Sequence, residues 1–139
     1  MERTRVLVAD DNGTYGRLLS RFVAAQPDME VVGLATDGSE ALHLASLLRP
    51  DLVLMDLCMP GLDGFEATRV LSETDRDIKV IALTAHRMDD SEQLCRGAGA
   101  CAFLRKADVD GRLLDTIRNL AGGHGEVTSP GPDGVQTLA

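Results

Sequence analysis

Val53-Leu54-Met55-Asp56-Leu57-Cys58-Met59-Pro60-Gly61 is an apolar run that meets a single carboxylate and passes almost at once into a Pro-Gly turn. So short and so apolar a run suits a strand buried on both faces, as in a parallel sheet sandwiched between helices. In such folds ligands gather just beyond the carboxyl ends of the strands. Asp56 is therefore expected at the functional edge of the sheet, on a rigid element and facing a loop. Alone, an aspartate at a strand end often does no more than cap a turn or the next helix. Its meaning depends on what the rest of the chain delivers to the same edge.

On either side of this strand the pattern repeats. Upstream, Thr4-Arg5-Val6-Leu7-Val8-Ala9 reads as a strand closed by Asp10-Asp11-Asn12. Asn12 or Asp11 can cap a helix from about Thr14 to Ala25, with Leu18, Leu19, Phe22 and Val23 on one face. Met29 to Ala35 reads as a second strand, and Thr36-Asp37-Gly38-Ser39 turns into a helix from about Glu40 to Leu48 bearing Ala41, Leu42, Ala45 and Leu48 at helical spacing. Arg49-Pro50-Asp51 breaks the chain before the strand of Asp56. Downstream, Asp63-Gly64 opens a third helix to about Ser72, and Ile78 to Leu83 is a fourth strand ending at Thr84-Ala85. A polar helix is expected over Asp89–Arg96, then a short fifth strand, Cys101-Ala102-Phe103-Leu104, ending at Arg105-Lys106. Val109, Leu113, Ile117 and Leu120 lie on one face of a last helix. Strands alternating with helices in this way predict an α/β fold: a doubly wound parallel sheet with helices on both sides. Right-handed crossovers leave few topologies open.

The 139 residues make one domain with enough apolar material for a core. Residues 1–121 form that domain; 122–139, rich in Gly, Pro and Ser, read as a flexible tail or linker. No apolar run approaches the roughly 20 residues that span a bilayer, and the first residues read as the start of a strand rather than a signal peptide. Three cysteines without metal-ligand spacing fit reduced thiols in the cytoplasm. A net charge of −8 with no basic run argues against nucleic-acid or membrane binding by this chain alone.

The predicted strand ends then collect a chemistry. The first strand delivers Asp10 and Asp11, the third Asp56, the fourth Thr84 and the fifth Lys106. Each like-charged carboxylate pair at ~4 Å costs about 4 kcal/mol at an effective dielectric of 20, so protons, a cation or a lysine must neutralise the cluster. Hard oxygen donors with an incomplete shell suit Mg²⁺ that keeps several waters and shares a phosphate oxygen. Lys106 and the Thr84 hydroxyl are natural donors to that phosphate. The set points to phosphoryl transfer onto a carboxylate, with Asp56 as the nucleophile. Taken singly, Asp10-Asp11 is more often a helix cap, Thr84 a satisfied strand-end hydroxyl and Lys106 a solvated amine. All of them at carboxyl ends, on four different strands, are hard to assign to accident.

The motifs Asp10-Asp11, Asp56-Leu57-Cys58-Met59-Pro60-Gly61-Leu62-Asp63-Gly64, Thr84-Ala85 and Gly99-Ala100-Cys101-Ala102-Phe103-Leu104-Arg105-Lys106 closely resemble the receiver domain of two-component response regulators, across residues 4 to 121. Glu30-Val31-Val32-Gly33, Asp37-Gly38-Ser39-Glu40-Ala41 and Arg49-Pro50-Asp51-Leu52-Val53 resemble the NarL/FixJ type in particular. The resemblance implies a flavodoxin-like fold with strand order 2-1-3-4-5. It implies that a sensor histidine kinase phosphorylates Asp56, that Asp11, Asp56 and the Cys58 carbonyl bind Mg²⁺ directly, and that Asp10 reaches the metal through water. Lys106 would pair with the phosphoryl group, Thr84 would bond to it on activation, and the Ala85 amide would lie close to a phosphate oxygen. Phe103 would be the rotameric switch, turning inward as Thr84 moves. Such a domain is a phospho-acceptor that assists its own phosphorylation and dephosphorylation. Its output surface would comprise the 89–96 helix, the fifth strand and the last helix, around Arg87, Glu92, Arg96, Phe103 and Arg112, with homodimerisation a usual consequence of phosphorylation.

Two positions depart from the family pattern. Phe103 stands where tyrosine is common, so its outward state has only packing to rest on. Ala107 stands where proline, with a cis peptide, often follows the lysine; a cis Lys106-Ala107 bond would cost roughly 3–4 kcal/mol, so a trans bond or a strained site is expected. Residues 122–139 hold no helix-turn-helix, which leaves a receiver cut from a longer transcription regulator, or a stand-alone receiver acting by protein contact. A haloacid-dehalogenase-like phosphatase would carry Asp-x-Asp on its first strand, and residue 12 is Asn. A nucleotide-binding module would need a P-loop or Gly-x-Gly-x-x-Gly there, and neither follows.

Overall fold

The computed structural model describes residues 3–57, 59, 63–75, 77–85, 97–122 and 136–137. Its elements run β1 (Thr4–Ala9), α1 (Gly13–Ala24), β2 (Met29–Ala35), α2 (Gly38–Leu48), β3 (Leu52–Asp56), α3 (Gly64–Thr74), β4 (Lys79–Thr84), β5 (Ala102–Arg105), a 3₁₀ turn at Lys106–Asp108, α4 (Val109–Ala121) and the two-residue β6 (Gln136–Thr137). The helix expected over residues 89–96 lies outside the described residues. The sheet order is β2-β1-β3-β4-β5-β6. The first five strands pair in parallel, and β6 lies antiparallel against β5. The composition of 122–139, read above as a tail, gives no sign of β6, since two residues carry no period to read.

Burial on both faces explains the apolar runs. All five residues of β3 are buried, and the side chains of each strand alternate between two cores. One core gathers Leu7, Ala9, Val53, Met55, Val80, Ala82 and Phe103 with Ala41 and Ala45 of α2 and Ala67 and Leu71 of α3. The other gathers Val6, Val8, Leu52, Leu54, Ile81, Leu83 and Leu104 with Leu19 and Val23 of α1 and Val109, Leu113, Ile117 and Leu120 of α4. The stripe predicted for the last helix is thus its buried face. The stripe predicted for α1 needs correction at Leu18, which is 57% exposed. It sits roughly 100° around the helix from Leu19, outside the arc of the buried Gly16, Leu19 and Val23.

Side-chain caps start three helices at the turns the sequence marks. Asn12, rather than Asp11, accepts from the Tyr15 amide at the start of α1. Asp37 accepts from the Glu40 amide, and Glu40 accepts in return from the Thr36 amide, both at 2.7 Å. Asp63 accepts from the Glu66 amide at 2.9 Å. Helix α2 stops at Arg49, whose φ of 49° is left-handed. The following Pro50 disfavours continued helix at that residue.

Candidate functional site

Alternation along the strands decides which side chains can meet at the carboxyl edge. In β3, Leu52 and Leu54 face the α1/α4 layer, so Asp56 shares their face. Asp10, one step past β1, falls on the face of Val6 and Val8 by the same count. Thr84 follows Val80 and Ala82, and so shares the opposite face with Phe103, whose register partner is Ala82. The edge is therefore divided: the acids lie toward α1, and the hydroxyl lies toward the layer that packs Phe103.

Asp10 and Asp56 are 1% and 3% exposed, while Asp11 is open to solvent. One carboxylate oxygen of each lies within 4.8 Å of the others. Lys106, lifted from the end of β5 by the 3₁₀ turn, places Nζ 2.7 Å from Asp10 Oδ2 and 3.6 Å from Asp56 Oδ1. Asp10 Oδ1 is also held, accepting from the Asn12 amide at 2.9 Å. The expected convergence of Asp10, Asp11, Asp56 and Lys106 is thus present. Burial by itself would lower the Lys106 pKa. The hydrogen bond to Asp10 and the charges of Asp56 and Asp10 together outweigh it and hold the ammonium above its ordinary 10.5. Three clustered acids, two of them buried, with one lysine still leave negative charge to neutralise. Because Asp11 is exposed, a hard cation held beside it could keep waters of its own.

Thr84 ends β4 buried, 1% exposed, and Ala85 beside it is exposed. Phe103 is packed into the core at 7% exposure. Cys58, expected to offer its carbonyl, and Arg87, Glu92 and Arg96 lie outside the described residues; Arg112 is part-buried on α4. The Lys106–Ala107 peptide is trans, no described bond being cis, as the missing proline leads one to expect.

At this edge the sequence reading passed over Tyr15, and it named Gly64 only as part of a turn and a motif. Tyr15, in the first turn of α1, lies under Lys106, with Nζ 4.4 Å from the ring centroid. The signal available was its singularity, as the one tyrosine in the chain, five residues past Asp10. Burial raises the Tyr15 hydroxyl above its ordinary pKa; Lys106 opposes the rise, and Asp10, Asp110 and Asp56 add to it. The second residue is Gly64. A β-carbon there would overlap the Asp56 carbonyl oxygen and come within 2.7 Å of Leu57 Cα. Only glycine lets α3 start this close to the end of β3.

Comparison with known proteins agrees with the fold. A family model described as the response regulator receiver domain matches residues 6–118. The chain is 42% identical over 125 residues to the transcriptional regulatory protein LiaR of Bacillus subtilis, covering 90% of this chain and 59% of that one. It is 42% identical over 127 residues to a protein-glutamate methylesterase/protein-glutamine glutaminase of Myxococcus xanthus, covering 84% of this chain and 36% of the other. A solved LuxR-family two-component response regulator from Aurantimonas superposes with a TM-score of 0.82 at 29% identity, covering 88% of this chain and 87% of that one. The chain therefore spans only part of the length of these two curated relatives.

Proposed function

This chain belongs to the response regulator receiver domain family, and from that premise we propose that Asp56 is the residue that accepts the phosphoryl group. A carboxylate oxygen of Asp56 attacks the phosphorus of the donor, the donor's bond to phosphorus breaks, and the leaving group departs with that bond's electron pair. The observation that carries this reading is the placement of Lys106 between two buried acids, 2.7 Å from Asp10 and 3.6 Å from Asp56. A lysine there can follow negative charge from the carboxylates to a phosphoryl oxygen without crossing bulk water.

The three acids fit Mg²⁺ by donor type and spacing. Asp11 and Asp56 would hold it directly, and Asp10 through water. When bound, the ion supplies charge neutralisation for the transferring group. Lys106 supplies the remaining positive charge, and Thr84 and the Ala85 amide supply hydrogen bonds. We read the chain as a phospho-acceptor rather than a turnover enzyme; the methylesterase relative is matched over 36% of its length.

The signal is a change of population. Moving a two-state element from 1:99 to 99:1 takes about 5.5 kcal/mol. A Thr84 hydrogen bond and a charge-assisted Lys106 contact, at roughly 1–3 kcal/mol each, supply part of this, and repacking of Phe103 supplies the rest. Thr84 and Phe103 share one face of the sheet, which supports coupling between them. The partner upstream is a sensor histidine kinase, in the cytoplasm. Downstream, the surface of β5 and α4 with the segment before β5 would carry the output, by homodimerisation and control of transcription through an effector domain outside this chain, or alternatively by direct protein contact.

Incubation with Mg²⁺ and acetyl phosphate, followed by intact-mass measurement, tests the assignment. One phosphoryl group is expected on the native chain and none on Asp56→Asn. Equal incorporation by both would remove Asp56 from its role.

A further inference from the structure

Lys106 has a third neighbour besides its two acids. The Tyr15 ring presents its face to the ammonium at 4.4 Å, and the backbone under that ring is fixed to the acid cluster. Asp10 Oδ1 accepts from the Asn12 amide at 2.9 Å, and Asn12 Oδ1 accepts from the Tyr15 amide at 3.0 Å. The Tyr15 hydroxyl is buried and has no hydrogen-bond partner among the described residues, so the ring, not the hydroxyl, makes the contact. Tyr15 and Lys106 also line a groove of about 480 Å³ between α1 and α4, with Leu18, Phe22 and Asp110. The ring stands beside Lys106 on the wall of that groove.

We propose that Tyr15 is a positioning residue for phosphoryl transfer: its ring face keeps Lys106 over the Asp10–Asp56 pair and shields that side of the ammonium from water. This rests on Asp56 being the phospho-acceptor. The ammonium is claimed at once by Asp10 at 2.7 Å and by Asp56 at 3.6 Å. To serve the phosphoryl group it must give up some of its hold on Asp10. A hydrogen bond to Asp10 is directional and is lost in that step. Attraction to an aromatic face is broad and persists as the cation slides across it. Lys106 stays protonated throughout, so no proton changes hands in this role.

The test compares Tyr15→Phe, which keeps the ring, with Tyr15→Met, which keeps apolar bulk without one. Initial rates of phosphorylation by acetyl phosphate with Mg²⁺ are read by intact mass. Tyr15→Phe is expected within twofold of the native rate, and Tyr15→Met roughly three- to thirty-fold slower, the range of a partly desolvated cation–π contact. Equal rates for native and Tyr15→Met overturn the proposal, as does equal slowing of both variants, which would move the role to the hydroxyl. A second readout needs no variant: the Lys106 ε-methylene protons of the native chain should show an upfield ring-current shift in NMR spectra, and ordinary lysine shifts there also overturn it. Asp56→Asn separates the two claims. If it blocks incorporation while Tyr15→Met is native-like, the receiver reading stands and the Tyr15 role falls; if it incorporates phosphate normally, the acceptor assignment falls first.

Discussion

Lys106 Nζ lies 2.7 Å from Asp10 Oδ2, nearly an ångström closer than to Asp56 Oδ1 at 3.6 Å, although 96 residues separate Lys106 from Asp10 in the chain. The lysine is first a counterion of Asp10 and only second a neighbour of Asp56. That order has consequences for stability, for pH dependence and for metal binding.

Removing the lysine leaves two buried carboxylates without their cation. Lys106→Met is expected to destabilise the fold by about 3 kcal/mol, as breaking one half of a buried pair does. Asp56→Asn should do the opposite, relieving like-charge crowding and adding about 1–2 kcal/mol. Urea unfolding without divalent cations reads both. A native-like midpoint for Lys106→Met would mean that the ammonium does not neutralise the cluster.

The pH dependence follows from the same contact. The Lys106 pKa is raised above 10.5. A raised folded-state value means its stabilisation is complete below 10.5 and is lost as pH climbs through the folded value. The Tyr15 hydroxyl, raised above 10.0, acts in the same direction, because the folded state holds that proton more tightly as well. The stability gap between native and Lys106→Met should therefore be flat from neutral pH to about pH 10 and close above it. A gap that closes near neutrality would contradict the raised value.

Divalent cation binding should register as thermal stabilisation. At Mg²⁺ ten times its dissociation constant, the native chain should gain about 1.4 kcal/mol. Asp11→Asn should lose most of that gain while keeping its metal-free stability, because Asp11 is exposed whereas Asp10 and Asp56 are buried. Melting curves with and without Mg²⁺ decide it; an unaltered gain in Asp11→Asn would take that residue out of the ligand set.

Gly64 tests how tightly the end of β3 is framed. A methyl at Gly64 would overlap the Asp56 carbonyl oxygen and crowd Leu57, so α3 or the end of β3 must move. Gly64→Ala is expected to cost about 2–3 kcal/mol, at the upper end of overpacking, and to slow phosphorylation by small donors. Gly111, whose added β-carbon meets nothing within 4 Å, is the control: Gly111→Ala, inside α4, should be neutral or slightly stabilising.

The chain by itself determined the ends of the strands and the chemistry placed there. Runs such as 52–56 and 79–84 have no solvated face, and each stops at a polar residue, so local burial and turn residues were enough to put Asp10, Asp56 and Thr84 at one edge. The turns that open the helices were legible for the same reason, with Asn12 and Asp11 both open as the first cap; the structure assigns the caps to Asn12, Asp37 and Asp63. Packing in three dimensions set the rest: Lys106 sits closer to Asp10 than to Asp56, the Tyr15 ring lies under it, and α3 starts so close to β3 that Gly64 must lack a side chain. The Lys106 contacts follow from no period or propensity, because they join segments about 90 residues apart, and the Gly64 clash depends on how closely α3 seats against the end of β3.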